Sequence, residues 1–153
     1  MSYPFHKGHG TENDFVLLPD HDGEVHGDLK PARVVALCDR RAGIGGDGVI
    51  RVIRSAAIGA TSDADWFMDY RNSDGSVSEM CGNGIRVLAQ HLLDQGLVTG
   101  PELLLGSRDG DKLLERIKAA IPMEAAMLDN LLQTFTRVVR ATVRGDILVA
   151  LLQ

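Results

Sequence analysis

The chain has 153 residues, enough for one domain or one and a half small ones, with 44% hydrophobic and 24% charged residues. Its net charge of −5 argues against general nucleic-acid affinity, and its two cysteines are too few for a disulfide framework. The opening "MSYPFHKGHG" lacks the apolar core of a signal peptide, and no uncharged apolar run is long enough to cross a membrane. A cytoplasmic, reducing environment is the expectation.

In chain order, "FVLLPD" (15–20) is a short apolar run stopped by Pro-Asp and predicts a strand. "HDGEVHGDLK" (21–30) is a polar loop. "PARVVALCDRR" opens with Pro31, a favoured first helical residue, and puts Val34, Val35 and Cys38 on one side of a helix. "GIGGDG" (43–48) satisfies G-x-G-x-x-G, but a helix is predicted before it and a strand after it, the reverse of a dinucleotide fingerprint. A flexible or close-packed loop bordering a ligand is the better reading. "GVIRVIRSA" then predicts a strand. "DWFMDYRNSDGSVSEM" predicts a hairpin, with Trp66–Arg71 as one strand, "NSDG" as the turn and "SVSEM" as the return.

The return delivers Cys81 to a helix. Ile85, Leu88 and Leu92 recur at i, i+3 and i+7, and Gly96 stands where a left-handed C-cap residue is expected. Asn83 is the predicted N-cap. Cys81 then lies just outside a helix N-terminus, where unpaired N–H groups and the dipole favour a thiolate. Gly82 and Gly84 let a substrate approach the backbone closely. The bland alternative is a buried structural cysteine. Asn13 and Asn72 are turn formers whose amides can also bind an ammonium or a carboxylate. His6, His9, His21 and His26 cluster in sequence, yet their spacing matches no closed zinc pattern. Surface loop histidines are expected and no metal is assigned.

After Leu105 the pattern changes. Leu113, Leu114, Ile117 and Ile121 fall on a helical face, and Pro122 opens a second helix. Its stripe of Leu128, Leu131, Leu132, Phe135, Val138, Val139 and Thr142 runs towards Gly145. Arg137, Arg140 and Arg144 end that helix as a solvated, dipole-complementing face, or as an attraction for anionic lipid. The division is therefore placed at 1–106 and 107–153, with an α+β first domain and an α-helical tail.

Four segments, "KGHGTENDFVLLPD", "ALCDRRAGIGGDGVIRV", "WFMDYRNSDGS" and "EMCGNGIRVLAQHLL", together resemble the diaminopimelate epimerases of actinobacteria. They cover about residues 3–106. The resemblance implies an antiparallel sheet wrapped on a central helix. It also implies interconversion of LL- and meso-diaminopimelate without cofactor or metal, on the path to lysine and peptidoglycan. In that family two cysteines, one from each of two similar domains, face each other across the substrate α-carbon. Carried over by position, Cys81 matches the cysteine of the first domain. Gly82 and Asn83 match residues whose backbone holds the α-carboxylate, and Asn13 and Asn72 match substrate-binding asparagines. Cys38 matches no catalytic position and is assigned to the core. Glu12 stands where the family usually has glycine. No second Cys-Gly or Glu-Arg-Gly stretch occurs, so the family's second domain has no counterpart in this sequence. Residues 108–153 are similar to a stretch of the AI-2E family of transporters. Two functional expectations follow. One is an epimerase-type half-site for small-molecule diaminopimelate. The other is a non-catalytic half-domain whose amphipathic tail contacts a partner, a homodimer mate or a membrane surface.

Overall fold

The computed structural model describes residues 3–100 and 102–115. They lie within one compact unit, Met1–Ala120. The strands are β1 (His6–Gly10), β2 (Asn13–Pro19), β3 (Gly48–Arg54), β4 (Trp66–Asn72), β5 (Glu102–Gly106) and β6 (Lys112–Glu115); the helices are α1 (Pro31–Cys38) and α2 (Gly82–Asp94). All six strands form one sheet in the order of the chain.

The sheet is mixed, whereas the resemblance led us to expect an antiparallel one. β2 and β3 run parallel, as do β4 and β5, and the other neighbours are antiparallel. The reason is the two helices, each of which crosses over between adjacent parallel strands. Such crossovers are right-handed, and the β2–β3 pair runs opposite to the β4–β5 pair, so α1 and α2 fall on opposite faces. The side chains follow. Phe15 and Leu17 of β2, Ile50 and Val52 of β3, and Trp66, Met68 and Tyr70 of β4 pack with α2. Val16, Leu18 and Val49 point the other way and pack with Val34 and Cys38 of α1. Burial on both faces explains why "FVLL" reads as a continuous apolar run.

Arg51 and Asp69, cross-strand partners on β3 and β4, are buried among the apolar rows. Asp69 is met by Arg71 at 2.5 Å, Arg108 at 2.6 Å and Arg51 at 3.7 Å; Arg51 also donates to Asp20 at 2.7 Å. Every one of these charges is paired, as burial requires.

Three expectations are corrected. The hairpin return after β4 is reduced to a single bridge, Arg71 with Val77. Leu113 and Leu114 stand in β6, paired with Leu104 and Leu103, and not on a helix. Their helical spacing loses to an open sheet edge. The sheet therefore continues past the division placed at 106/107, and the helices expected beyond Glu115 lie outside the described residues. His26 is no surface loop histidine: it is buried at 7% exposure, with Arg33 2.8 Å from its Nδ1 and Tyr3 5.3 Å from its ring. The "GIGGDG" loop is close-packed. A Cβ on Gly43 would stand 2.1 Å from the Ala36 carbonyl oxygen and 2.9 Å from that of Asp39.

Two predictions follow from this packing. Gly43→Ala meets rigid backbone and is expected to lower stability by about 2–3 kcal/mol in urea unfolding. His26 and His91 are both held below the ordinary histidine value of 6.5, chiefly by burial. The unfolded chain then binds protons that the folded chain refuses, so stability is complete above pH 6.5 and falls as pH drops below it. Urea midpoints across that window are expected to fall with pH, and substituting either histidine by Gln should flatten the fall.

Candidate active site

Helix α2 starts two residues earlier than predicted. Gly82 is its first residue, and Cys81, in extended backbone at φ −139° and ψ 117°, is its N-cap. Asn83 lies inside the first turn. The cap bond is made by sulfur: the Gly84 N–H donates to Cys81 Sγ at 3.4 Å. A Cβ on Gly84 would press on Ile50 at 3.3 Å and on Cys81 itself at 3.4 Å, so glycine keeps that bond open. A Cβ on Gly82 would meet nothing within 4 Å, so the helix end is accessible. The N–H groups of Gly82 and Asn83 precede the first intrahelical bond and face outwards from that end. The far end closes in a Schellman motif: Leu97 N–H donates to Leu92 O at 2.9 Å and Gly96 N–H to Leu93 O at 3.0 Å. Gly96 has φ +66°, as its position predicts.

The tip of the β1–β2 hairpin leans on this helix start. Thr11 Oγ1 donates to Asn83 Oδ1 at 2.9 Å, and Arg86 donates to the same oxygen. Asn13, the first residue of β2, places its Oδ1 3.8 Å from Cys81 Sγ and donates from Nδ2 to Asp47 at 2.9 Å. Asn72 ends β4 opposite Gly48 in register, and its amide donates to Ser76 Oγ at 3.0 Å. Asn13, Gly48 and Asn72 thus stand at one end of three adjacent strands. Cys81 meets Asn13 directly and carries Gly82 and Asn83 behind it, whereas Asn72 is joined to the group through the Asp47 backbone, whose carbonyl accepts from Ser73 N–H at 3.1 Å.

Residue-type reasoning missed Asp14, Arg40 and Asp47. Arg40 grips Asp14 with two nitrogens, at 2.6 and 3.1 Å, and reaches Asp47 at 2.8 Å. Lys7 joins Asp14 at 2.9 Å. The Arg40 guanidinium, with Lys7 beside it, holds the Asp14 carboxyl well below the usual carboxylate range despite partial burial. The signal for Asp47 was present: a lone carboxylate in "GIGGDG", where only the glycines attract notice. Tyr70 lies beside the site, and burial, then the neighbouring Cys81 and Asp47, push its hydroxyl up to about 12, so it stays uncharged. Cys38 is buried in the α1 core, and burial pushes its thiol up.

The family profile described as diaminopimelate epimerase matches residues 5–125. The chain belongs to the diaminopimelate epimerase family. The match runs into the segment likened above to AI-2E transporters, and for residues up to 125 the family profile replaces that likeness. The diaminopimelate epimerase of Streptomyces coelicolor is 56% identical over an alignment of 118 positions that covers 74% of this chain and 40% of that protein. That of Thermobifida fusca is 58% identical over 114 residues, 69% of this chain and 41% of the relative. That of Corynebacterium glutamicum is 50% identical over 121 residues, 78% and 43%. The chain therefore spans about 40% of the length of these curated relatives. Among solved structures, a Bacillus anthracis phenazine biosynthesis protein of the PhzF family shares the fold, with a TM-score of 0.51 at 20% identity, covering 72% of this chain and 34% of that one.

The hairpin tip carries a cost. Thr11 and Glu12 form a two-residue turn with φ +54° and +63°, the left-handed region that favours glycine. Glu12→Gly relieves about 1–2 kcal/mol of strain against a smaller entropic loss in the unfolded chain. A net gain of about 1 kcal/mol in urea unfolding is expected.

Proposed function

We propose that this chain carries one half of a cofactor-independent epimerase site acting at the α-carbon of LL- and meso-diaminopimelate, a step of lysine and peptidoglycan biosynthesis. The observation that supports it best is the position of Cys81, a half-buried thiol that caps an open helix N-terminus and touches Asn13.

In this reading the substrate α-carboxylate sits on the N–H groups of Gly82 and Asn83, and Asn13 and Asn72 hold its polar groups. The Cys81 thiolate takes the α-proton: the Cα–H bond breaks, an S–H bond forms, and the electron pair spreads from Cα into the carboxylate. Negative charge builds where the helix N–H groups and dipole already point, so they bind the transition state more tightly than the substrate. The Gly84 N–H supports the sulfur while it is anionic. Inversion requires a proton from the opposite face. Cys38 does not give it, being buried in the other core; the resemblance implies a second cysteine carried by the other of two similar domains. No step calls for a metal or cofactor, since both proton carriers are side chains.

The test is uptake of deuterium from heavy water at the α-carbons of diaminopimelate, comparing the chain with Cys81→Ala. Uptake that the substitution abolishes is expected, with configuration retained in this chain alone. A folded chain that shows no uptake, or uptake that survives Cys81→Ala, overturns the reading.

A further inference from the structure

We propose that Asp47 is a positioning residue that dictates which atom of Asn13 faces the Cys81 sulfur. The inference rests on the assignment of Cys81 as the proton carrier, and it concerns how that carrier is prepared.

The Asn13 amide has two chemically different ends. Its nitrogen only donates and its oxygen only accepts. The Asp47 carboxylate accepts only, and its Oδ2 lies 2.9 Å from one end of that amide. That end must therefore be nitrogen, and the end turned to Cys81 Sγ at 3.8 Å must be oxygen. Asp47 is itself held firmly. Its Oδ2 also accepts the Asp14 N–H at 3.0 Å, its Oδ1 takes Arg40 at 2.8 Å, and its backbone N–H donates to Asp14 O at 2.8 Å. The carboxylate is tied to the same strand as the amide it orients.

The sulfur consequently has opposite neighbours. Gly84 N–H donates to it at 3.4 Å, and Asn13 Oδ1 accepts from it at 3.8 Å. The first favours the anion and the second favours the protonated thiol with its hydrogen in a fixed direction. A group that must both take and return a proton is served by such a balance, in which neither form is trapped. Without Asp47 the amide is free to turn over and offer its nitrogen, a second donor, to the sulfur. That tips the balance towards the reactive thiolate.

The experiment is the rate at which iodoacetamide alkylates Cys81 in the folded chain at neutral pH, read by mass spectrometry of the Cys81 peptide. Asp47→Ala is expected to react roughly threefold to tenfold faster, the size of one hydrogen bond gained or lost. Loss of a nearby negative charge alone would also speed the reaction, so the deciding measurement is a double-mutant cycle. In an Asn13→Ala background only the part due to lost charge should remain, so the acceleration should shrink clearly below that seen with Asn13 present. Arg40→Ala, which leaves Asp47 Oδ2 on Asn13, should react at close to the parent rate. Equal acceleration with and without Asn13, an Arg40→Ala rate matching Asp47→Ala, or no acceleration at all would overturn the proposal. If Asp47→Ala does not fold, Asp47→Asn keeps the volume and is read through the same cycle. Alkylation needs no substrate, so this proposal can fail while deuterium uptake succeeds, and the reverse.

Discussion

Burial of Ile85, Leu88, Ala89 and Leu92 against one face of the sheet determines where α2 lies, and with it where the Cys81 sulfur stands. Leu88 and Leu92 are wholly withdrawn from solvent, and each stabilises the packed state by about 1.5–3 kcal/mol. The helix cannot slide along its axis without unseating them. Its C-terminus is locked by the Schellman bonds at Gly96 and Leu97, and its N-terminus by the hairpin tip. β1 comes close because it carries glycine where it crosses α2: a Cβ on Gly8 would stand 2.7 Å from Val87. The sulfur is therefore placed by the hydrophobic core, and the Gly84 N–H and the Asn13 amide oxygen meet it there.

Charge is arranged differently in two clusters of this scaffold. Around Asp69 three arginines converge in a buried layer, where a lost partner would leave an uncompensated charge. Around Asp14 and Asp47 the partners are more open, with the Arg40 side chain 58% exposed. Screening weakens such pairs, so their worth lies in geometry more than in stability. Arg40 is bidentate to Asp14 and reaches Asp47 Oδ1 with one nitrogen, while Asp47 Oδ2 accepts independently from Asn13. The Asp69 cluster ties β3 and β4 to Arg108, while the Arg40 cluster ties the "GIGGDG" loop to the end of β2 beside the thiol.

Much of the fold was legible because its apolar residues must match a period. α1 runs Pro31–Cys38 as the Pro31 start and apolar spacing predict, and β2, β3 and β4 fall on their predicted runs. β6 was not legible, because "KLLE" has neighbours at helical spacing and only pairing with β5 decides otherwise. The helix start was misplaced by two residues through a propensity rule. Asn is the commoner cap, but here a sulfur accepts the cap bond and the Asn83 amide is occupied by Thr11 and Arg86. Within the site, Cys81, Asn13 and Asn83 were visible through motif and resemblance. Asp47 stood in view as the lone carboxylate of "GIGGDG", but its partner, 34 positions earlier, is supplied only by the fold.

The half-site proposed above would also separate two steps that a complete epimerase joins. A thiol on one face can remove an α-proton and return one to that same face, which exchanges hydrogen but preserves configuration. Inversion needs a second donor poised opposite before the carbanion collapses. In the proposed reading the helix end that would hold the carboxylate stabilises the carbanion from whichever face the proton arrives. Stereochemical outcome would then belong to whatever supplies the opposite face, and the ease of ionisation to α2. An acidic group at the hairpin tip bears on the second of these: Glu12 stands next to Asn13 in a strained conformation, where a negative charge opposes an anionic carboxylate approaching the helix N-terminus. Relief of that strain and relief of that repulsion act on different observables, fold stability and substrate affinity, so the two consequences of the residue at position 12 are separable in one set of variants.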